Sequence, residues 1–139
     1  MKITGILVNN QNHKDTLVVT NTKVFNLGRL PMPREKASGY VPTRPNDLNV
    51  KGDSMVSKEH CFIEAFRGEA WVHDRSSTNG TWVNGVNVVR EDGINYARLD
   101  DLASLTIGNT SYTYYQTFWG GEQIPDPAYD NTVLERLMR

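Results

Sequence analysis

Cysteine is nearly absent: Cys61 is the only one in 139 residues, which rules out an intrachain disulfide and a thiolate metal cage. Long apolar runs are missing as well. Nothing approaches the roughly 20 consecutive apolar residues of a membrane-spanning helix, and the N-terminus lacks the apolar stretch of a signal peptide. Charge of one sign is also scarce, with Lys+Arg 15 against Asp+Glu 16 and a formal net charge of -1. A chain so balanced offers no general attraction to nucleic acid or to an anionic membrane, so any anion site must be local and built from a few residues. These absences lead to the expectation of a soluble, intracellular protein, cytoplasmic or nuclear, with one domain's length and one core.

What is present is a succession of short β-type runs between turn signals. The runs are 2–8, 16–20, 23–27, 47–50, 60–66, 70–73, 81–83, 86–89, 96–99, 104–107 and 111–117. Asn84-Gly85, between Val83 and Val86, is the strongest hairpin signal, because a type I′ turn needs positive φ at both central residues. No helical periodicity separates the runs, which argues for a sandwich or barrel. The predicted fold is all-β, a two-sheet sandwich of about eleven strands.

Two stretches break the pattern. Residues 30–46 hold Pro31, Pro33, Pro42 and Pro45 together with Arg34, Lys36 and Arg44. Proline cannot donate to a strand ladder, so this stretch reads as a long surface loop, and loops of that length inside a compact domain are often functional. After residue 118, Gly120-Gly121 and Pro125 to Pro127 form a link to 130–139, which reads as a short helix. Thr132 and Glu135 sit at capping-box spacing, and Val133, Leu134, Leu137 and Met138 make an apolar stripe. The expected division is therefore a sandwich at 1–118 and a link plus short C-terminal helix at 119–139. Such a helix is too short to stand alone in water. Phosphorylation of Thr132 would place a phosphothreonine on the same chain as any phosphate site, giving self-association or self-masking; the plainer reading of Thr132 is a helix cap.

Three segments carry the chemistry: Gly28-Arg29 after a strand, Ser57-Lys58-Glu59-His60 before a strand, and Ser76-Ser77-Thr78-Asn79-Gly80-Thr81 before another. In order, with Asp47 to Val50, Asp53, Val56, Asp74, Trp82-Val83-Asn84-Gly85 and Leu105-Thr106-Ile107-Gly108, they resemble the forkhead-associated (FHA) domain over residues 24–117. The resemblance implies a β-sandwich whose apical loops bind phosphothreonine peptides. It implies that Arg29 and Ser57 contact the phosphate, that Lys58 and Thr78 flank it, and that Asn79 holds the peptide backbone. It further implies that His60 orders the loops from beneath, with Gly28 and Gly80 serving loop structure. The residue types suit those parts. A guanidinium matches two phosphate oxygens at once, a serine hydroxyl rotates onto a third, and an asparagine amide pairs with both a peptide C=O and an N–H. Met55, in the loop before Ser57, leans toward an aliphatic residue three places past the phosphothreonine. The loop at 30–46 departs from more compact family members and stands where it would add contacts or block them.

Plainer readings stand beside these. Arg29 could close a strand at the surface, Ser57 could cap a turn, Lys58 could be merely solvated, and Thr78-Asn79-Gly80 could be only a turn. Phe62, Trp71 and Trp82 read as core or cross-strand packing. A triad of Ser57, His60 and Asp53 or Asp74 lacks a nucleophile elbow and an oxyanion loop. A metal site from His60, Cys61, His73 and Asp74 leaves two ligands on one face of a strand pair, fewer than zinc needs. The chain is therefore not expected to be an enzyme and needs no cofactor or metal. The runner-up is the same sandwich used as a phosphate-independent scaffold or dimerisation unit.

Overall fold

A computed structural model describes residues 2–30, 33–41 and 44–117. Eleven strands and one short helix follow in the order β1 (Ile3–Asn9), β2 (Thr16–Thr20), β3 (Phe25–Arg29), α1 (Pro33–Ala37), β4 (Leu48–Val50), β5 (Cys61–Phe66), β6 (Glu69–Asp74), β7 (Thr81–Val83), β8 (Val86–Asn87), β9 (Tyr96–Leu99), β10 (Ser104–Ile107) and β11 (Thr110–Gln116). The expected all-β sandwich is present. One sheet has the order β2-β1-β11-β10-β7-β8 and the other β4-β3-β5-β6-β9. The expected link and helix at 119–139, with Thr132, lie outside the described residues. Among those described, no helix is long and apolar enough to cross a membrane.

Period-2 alternation decides which side chains enter the core. Leu17 and Val19 of β2, Cys61 and Ile63 of β5, Ala70 and Val72 of β6, and Leu105 and Ile107 of β10 all belong to one buried cluster. Burying a side chain of this kind fully is worth about 1.5–3 kcal/mol. Central strand β1 passes beneath Tyr114, and only glycine fits at the crossing: a Cβ on Gly5 would lie 2.2 Å from the Tyr114 hydroxyl oxygen. The Asn84-Gly85 turn has positive φ at both residues, 50° and 79°, and joins β7 to β8 with Val83 opposite Val86. Strand β8 is shorter than the run at 86–89, because the Asn87 side chain takes the Val89 N–H at 3.0 Å and turns the chain away.

One sequence expectation changes and another narrows. Residues 30–46 are not all loop, since α1 lies inside them. Pro33 occupies its first position, where the missing N–H has no partner to lose, and Gly39 follows its end at φ +88°. The length of the connection also has a topological cause: β3 and β4 are parallel neighbours, Leu27 opposite Leu48 and Arg29 opposite Val50. Parallel pairs require a crossover of a dozen or more residues, and this crossover carries the chain back to start β4 level with β3. Of the two readings open to Trp82, core or cross-strand packing, only the second holds: it lies opposite Thr106 and Asn87. It is 38 % exposed, and its indole N–H donates to the Asn79 carbonyl at 3.2 Å. Phe62 and Trp71 are cross-strand residues on the outer face of the second sheet, Phe62 stacked on His73 at 4.4 Å and Trp71 edge-on to Tyr96.

Candidate functional site

The parallel β3–β4 pair brings Arg29 and Val50 to one end of the sandwich. Three connections meet there: 30–47, 51–60 and 75–80. The second and third are each fixed by a buried polar residue with satisfied bonds, as buried polar groups require.

Asp53 fixes the second connection. Its carboxylate accepts the Met55 N–H at 3.0 Å, the Asn109 N–H at 2.7 Å and the Thr110 hydroxyl at 2.6 Å. Burial alone would raise its pKa, but these donors, with a smaller contribution from His60, hold it below the usual value. Gly108 completes the junction, since a Cβ there would sit 2.9 Å from the carboxylate. Asp74 fixes the third connection. It accepts the Ser77 N–H at 3.0 Å and the Thr81 hydroxyl at 2.7 Å, together with the Ser77 hydroxyl. In the sequence both residues served as spacing marks and as rejected catalytic or metal candidates, and in the fold each organises a loop.

His60 joins the two loops. Its ring is fully buried, Nδ1 accepts the Ser57 N–H at 2.9 Å, and Nε2 lies 2.8 Å from the Gly80 carbonyl. An N–H can only donate, so Nδ1 must be the acceptor and Nε2 must carry the proton. Burial pushes the pKa of His60 down, against opposing pulls from Gly80, Asp74 and Asp53. Gly80, at φ +84°, makes the turn that presents this carbonyl.

On this base stand the remaining residues. Arg29 ends β3 with its main-chain N–H on the Ser57 carbonyl at 2.9 Å and Nε on the Val56 carbonyl at 3.2 Å. Its neighbour Gly28 cannot carry a side chain, because a Cβ would lie 2.1 Å from the Lys58 carbonyl oxygen. The Ser57 hydroxyl accepts the Thr78 N–H at 3.1 Å, which leaves its own proton to donate. Asn79 donates its amide to the Met55 carbonyl at 2.8 Å and, weakly, to the Met55 sulfur at 4.0 Å. Thr78 and Asn79 are exposed. Arg29, Ser57, Lys58, Thr78 and Asn79 thus share one end of the molecule.

The residue that sequence reasoning missed is Glu35, on α1. Its carboxylate accepts Arg29 Nη1 at 2.7 Å and Nη2 at 3.4 Å, and Lys58 Nζ lies 2.9 Å away. Lys58 is also held 4.1 Å above the Tyr40 ring, so it is not the merely solvated lysine of the plain reading. The signal for α1 was available: a proline, then Arg34 to Ala37, all good helix formers, then Ser38-Gly39. Elsewhere, among the described residues, no three His, Cys, Asp or Glu side chains gather to hold a metal ion. Cys61 is buried, and burial pushes its thiol up to about 12, so it stays protonated.

The model of the FHA domain family matches residues 25–108. Among solved structures, the FHA domain of an Arabidopsis thaliana hypothetical protein superposes with a TM-score of 0.63 at 21% identity, covering 90% of this chain and 96% of that one. An FHA domain studied for phosphothreonine-dependent interactions gives 0.61 at 18% identity, with 81% and 96% covered. The FHA domain of MEK1, in complex with a phosphothreonine peptide of HOP1, gives 0.60 at 17% identity, with 83% and 98% covered. At these identities the likeness carries the fold. No curated protein matches the sequence.

Proposed function

This chain belongs to the FHA domain family, and from that premise we propose that it is a protein-interaction module that reads phosphothreonine in partner peptides through Arg29, Ser57, Lys58, Thr78 and Asn79. One observation carries the assignment of residues: Arg29 and Lys58 converge on a single carboxylate, that of Glu35, at 2.7 and 2.9 Å. Two cations, one from the end of β3 and one from the 51–60 connection, aimed at one oxyanion are the arrangement a phosphate requires.

A phosphothreonine brings nearly two negative charges and three strong acceptors. The Arg29 guanidinium spans two of its oxygens, the Ser57 proton reaches a third, and Lys58 adds a point charge. Asn79 turns its amide oxygen toward the peptide main chain, and Thr78 borders the phosphate. Two or three charged hydrogen bonds at roughly 1.5–3 kcal/mol each account for much of a micromolar affinity, about −8 kcal/mol. Residues 1–118 supply this activity, inside the cell.

No catalytic step belongs to this reading. Both ring nitrogens of His60 are engaged with backbone groups, which supports a structural histidine and leaves Ser57 without a base. The rival reading, a phosphate-independent scaffold, draws on one observation: Glu35 already pairs with both of the site's cations.

Matched peptides carrying phosphothreonine, phosphoserine or threonine separate the readings. Phosphothreonine is expected to bind best. Phosphoserine should bind about fourfold more weakly, since one buried methyl is worth about 0.8 kcal/mol and the branched side chain is also stiffer. Unphosphorylated threonine should not bind measurably. Equal binding of all three peptides would leave the scaffold reading in place.

A further inference from the structure

The proposed function leaves Glu35 without a part, although its carboxylate occupies the position that function gives to phosphate. The way its segment is held is informative. Tyr40 folds back to donate its N–H to the Glu35 carbonyl at 3.1 Å, and the Ser38 hydroxyl bonds the same carbonyl at 2.7 Å. The turn is therefore built around Glu35. Yet none of residues 34–41 is buried, so no side chain of that stretch anchors it in the core. Among the described residues it is held by Glu35 on Arg29 and Lys58, with Tyr40 against the Lys58 ammonium. The flanks are tied separately: the Leu30 N–H to the Val50 carbonyl, the Arg44 N–H to Glu59 at 2.9 Å, and the Asn46 amide to the Lys58 carbonyl at 2.9 Å. None of these flank ties involves residues 34–41, so Glu35 can leave the two cations without breaking them.

We propose that Glu35 is an internal competitor, a carboxylate that occupies the phosphate position in the ligand-free protein and must be displaced before a phosphopeptide is held. The inference rests on the phosphothreonine reading of the same residues. The competition is unequal by design of charge. A carboxylate offers one negative charge and two oxygens, whereas phosphothreonine offers nearly two charges and three oxygens, so the phosphate prevails once it arrives. A ligand that binds only the open state has its affinity reduced by the fraction of molecules that are open. Weak anions, such as acidic unphosphorylated peptides, meet the same reduction and fall below useful occupancy. The device also keeps Arg29 paired while it waits, with its guanidinium already turned toward an anion.

The test uses the full 139-residue chain and one phosphothreonine peptide selected from a degenerate library, with its unphosphorylated twin. Glu35→Gln keeps the shape of the side chain and removes its charge; Glu35→Ala removes both. Both variants are expected to bind the phosphopeptide about twofold to fivefold more tightly than wild type, the range expected on releasing a partly exposed ion pair. Amide exchange at Ser38, Gly39 and Tyr40 should accelerate when wild type is saturated with phosphopeptide. Unchanged or weaker affinity in both variants, with the phosphopeptide still preferred to its twin, would overturn the competitor and leave the phosphothreonine reading standing. If wild type and variants all bound phosphorylated and unphosphorylated peptide alike, the reading of the site would itself be wrong, and the competitor with it.

Discussion

Replacing Arg29 with alanine is expected to weaken phosphopeptide binding by about thirtyfold or more, roughly 2 kcal/mol. It is the residue of the site whose side chain can bond two phosphate oxygens at once, and Lys58 cannot replace a planar fork with a point charge. The fold should survive, because the strand bond that places the residue runs from its main-chain N–H to the Ser57 carbonyl at 2.9 Å and persists in alanine. The side chain is only 16 % exposed and holds the Val56 carbonyl and Glu35, so losing it should cost about 1 kcal/mol and lower the melting midpoint by roughly 3 °C without unfolding the chain. The neighbouring carboxylate adds a second expectation. In the Arg29→Ala background, removing Glu35 should gain less affinity than it does in wild type, since the two side chains are in contact and their effects do not add. Calorimetry on the two single variants and the double variant measures both effects. An Arg29→Ala protein that binds as tightly as wild type would remove the guanidinium from the account.

The second large effect falls on stability. His60→Ala should cost about 3 kcal/mol, from a cavity and from the Ser57 N–H and Gly80 carbonyl losing their partners. For a chain of this size that corresponds to a fall of roughly 10 °C in Tm. Acid should act on the same residue. Because burial holds the folded-state pKa of His60 below its ordinary value of 6.5, folded and unfolded states differ in bound protons only below that pH. The stability it contributes is complete above 6.5 and is lost as the pH falls through the folded value. The Asp53 contribution has the same sign in a lower window: its pKa is held below 3.8, so its contribution is present above 3.8 and lost below it. Tm measured across pH should therefore decline for wild type below 6.5 and be flatter over that interval for His60→Ala. A His60→Ala protein with unchanged Tm but abolished binding would instead place the ring against the ligand.

Strands were the most readable part of the chain, because alternation and turn residues are local. Thr16–Thr20, Thr81–Val83, Tyr96–Leu99 and Ser104–Ile107 coincide with runs read from sequence. The Asn84-Gly85 turn was readable for the same reason: its backbone demands those two residues. What escaped was non-local. Nothing in residues 23–27 or 47–50 announces that β3 and β4 lie parallel, so the reason for the long crossover was hidden. The four prolines suggested a uniform loop and concealed the turn of helix that Pro33 begins. Residue type left Trp82 between core and cross-strand packing, and it lies on the outward side of its strand, where register decides exposure. The members of the proposed site were picked out as a set of residue types in order. That an acid from the crossover would rest on two of them was not, because residues 29, 35 and 58 meet only once the sandwich has formed.

A crystal structure of the full chain with a phosphothreonine peptide tests the central claim most directly. The account expects the phosphate within about 2.7–2.9 Å of the Arg29 guanidinium, the Ser57 hydroxyl as a further donor, Asn79 on the peptide main chain, and Glu35 moved off Arg29. A peptide bound elsewhere on the sandwich, with the Arg29–Glu35 pair still closed, would contradict it.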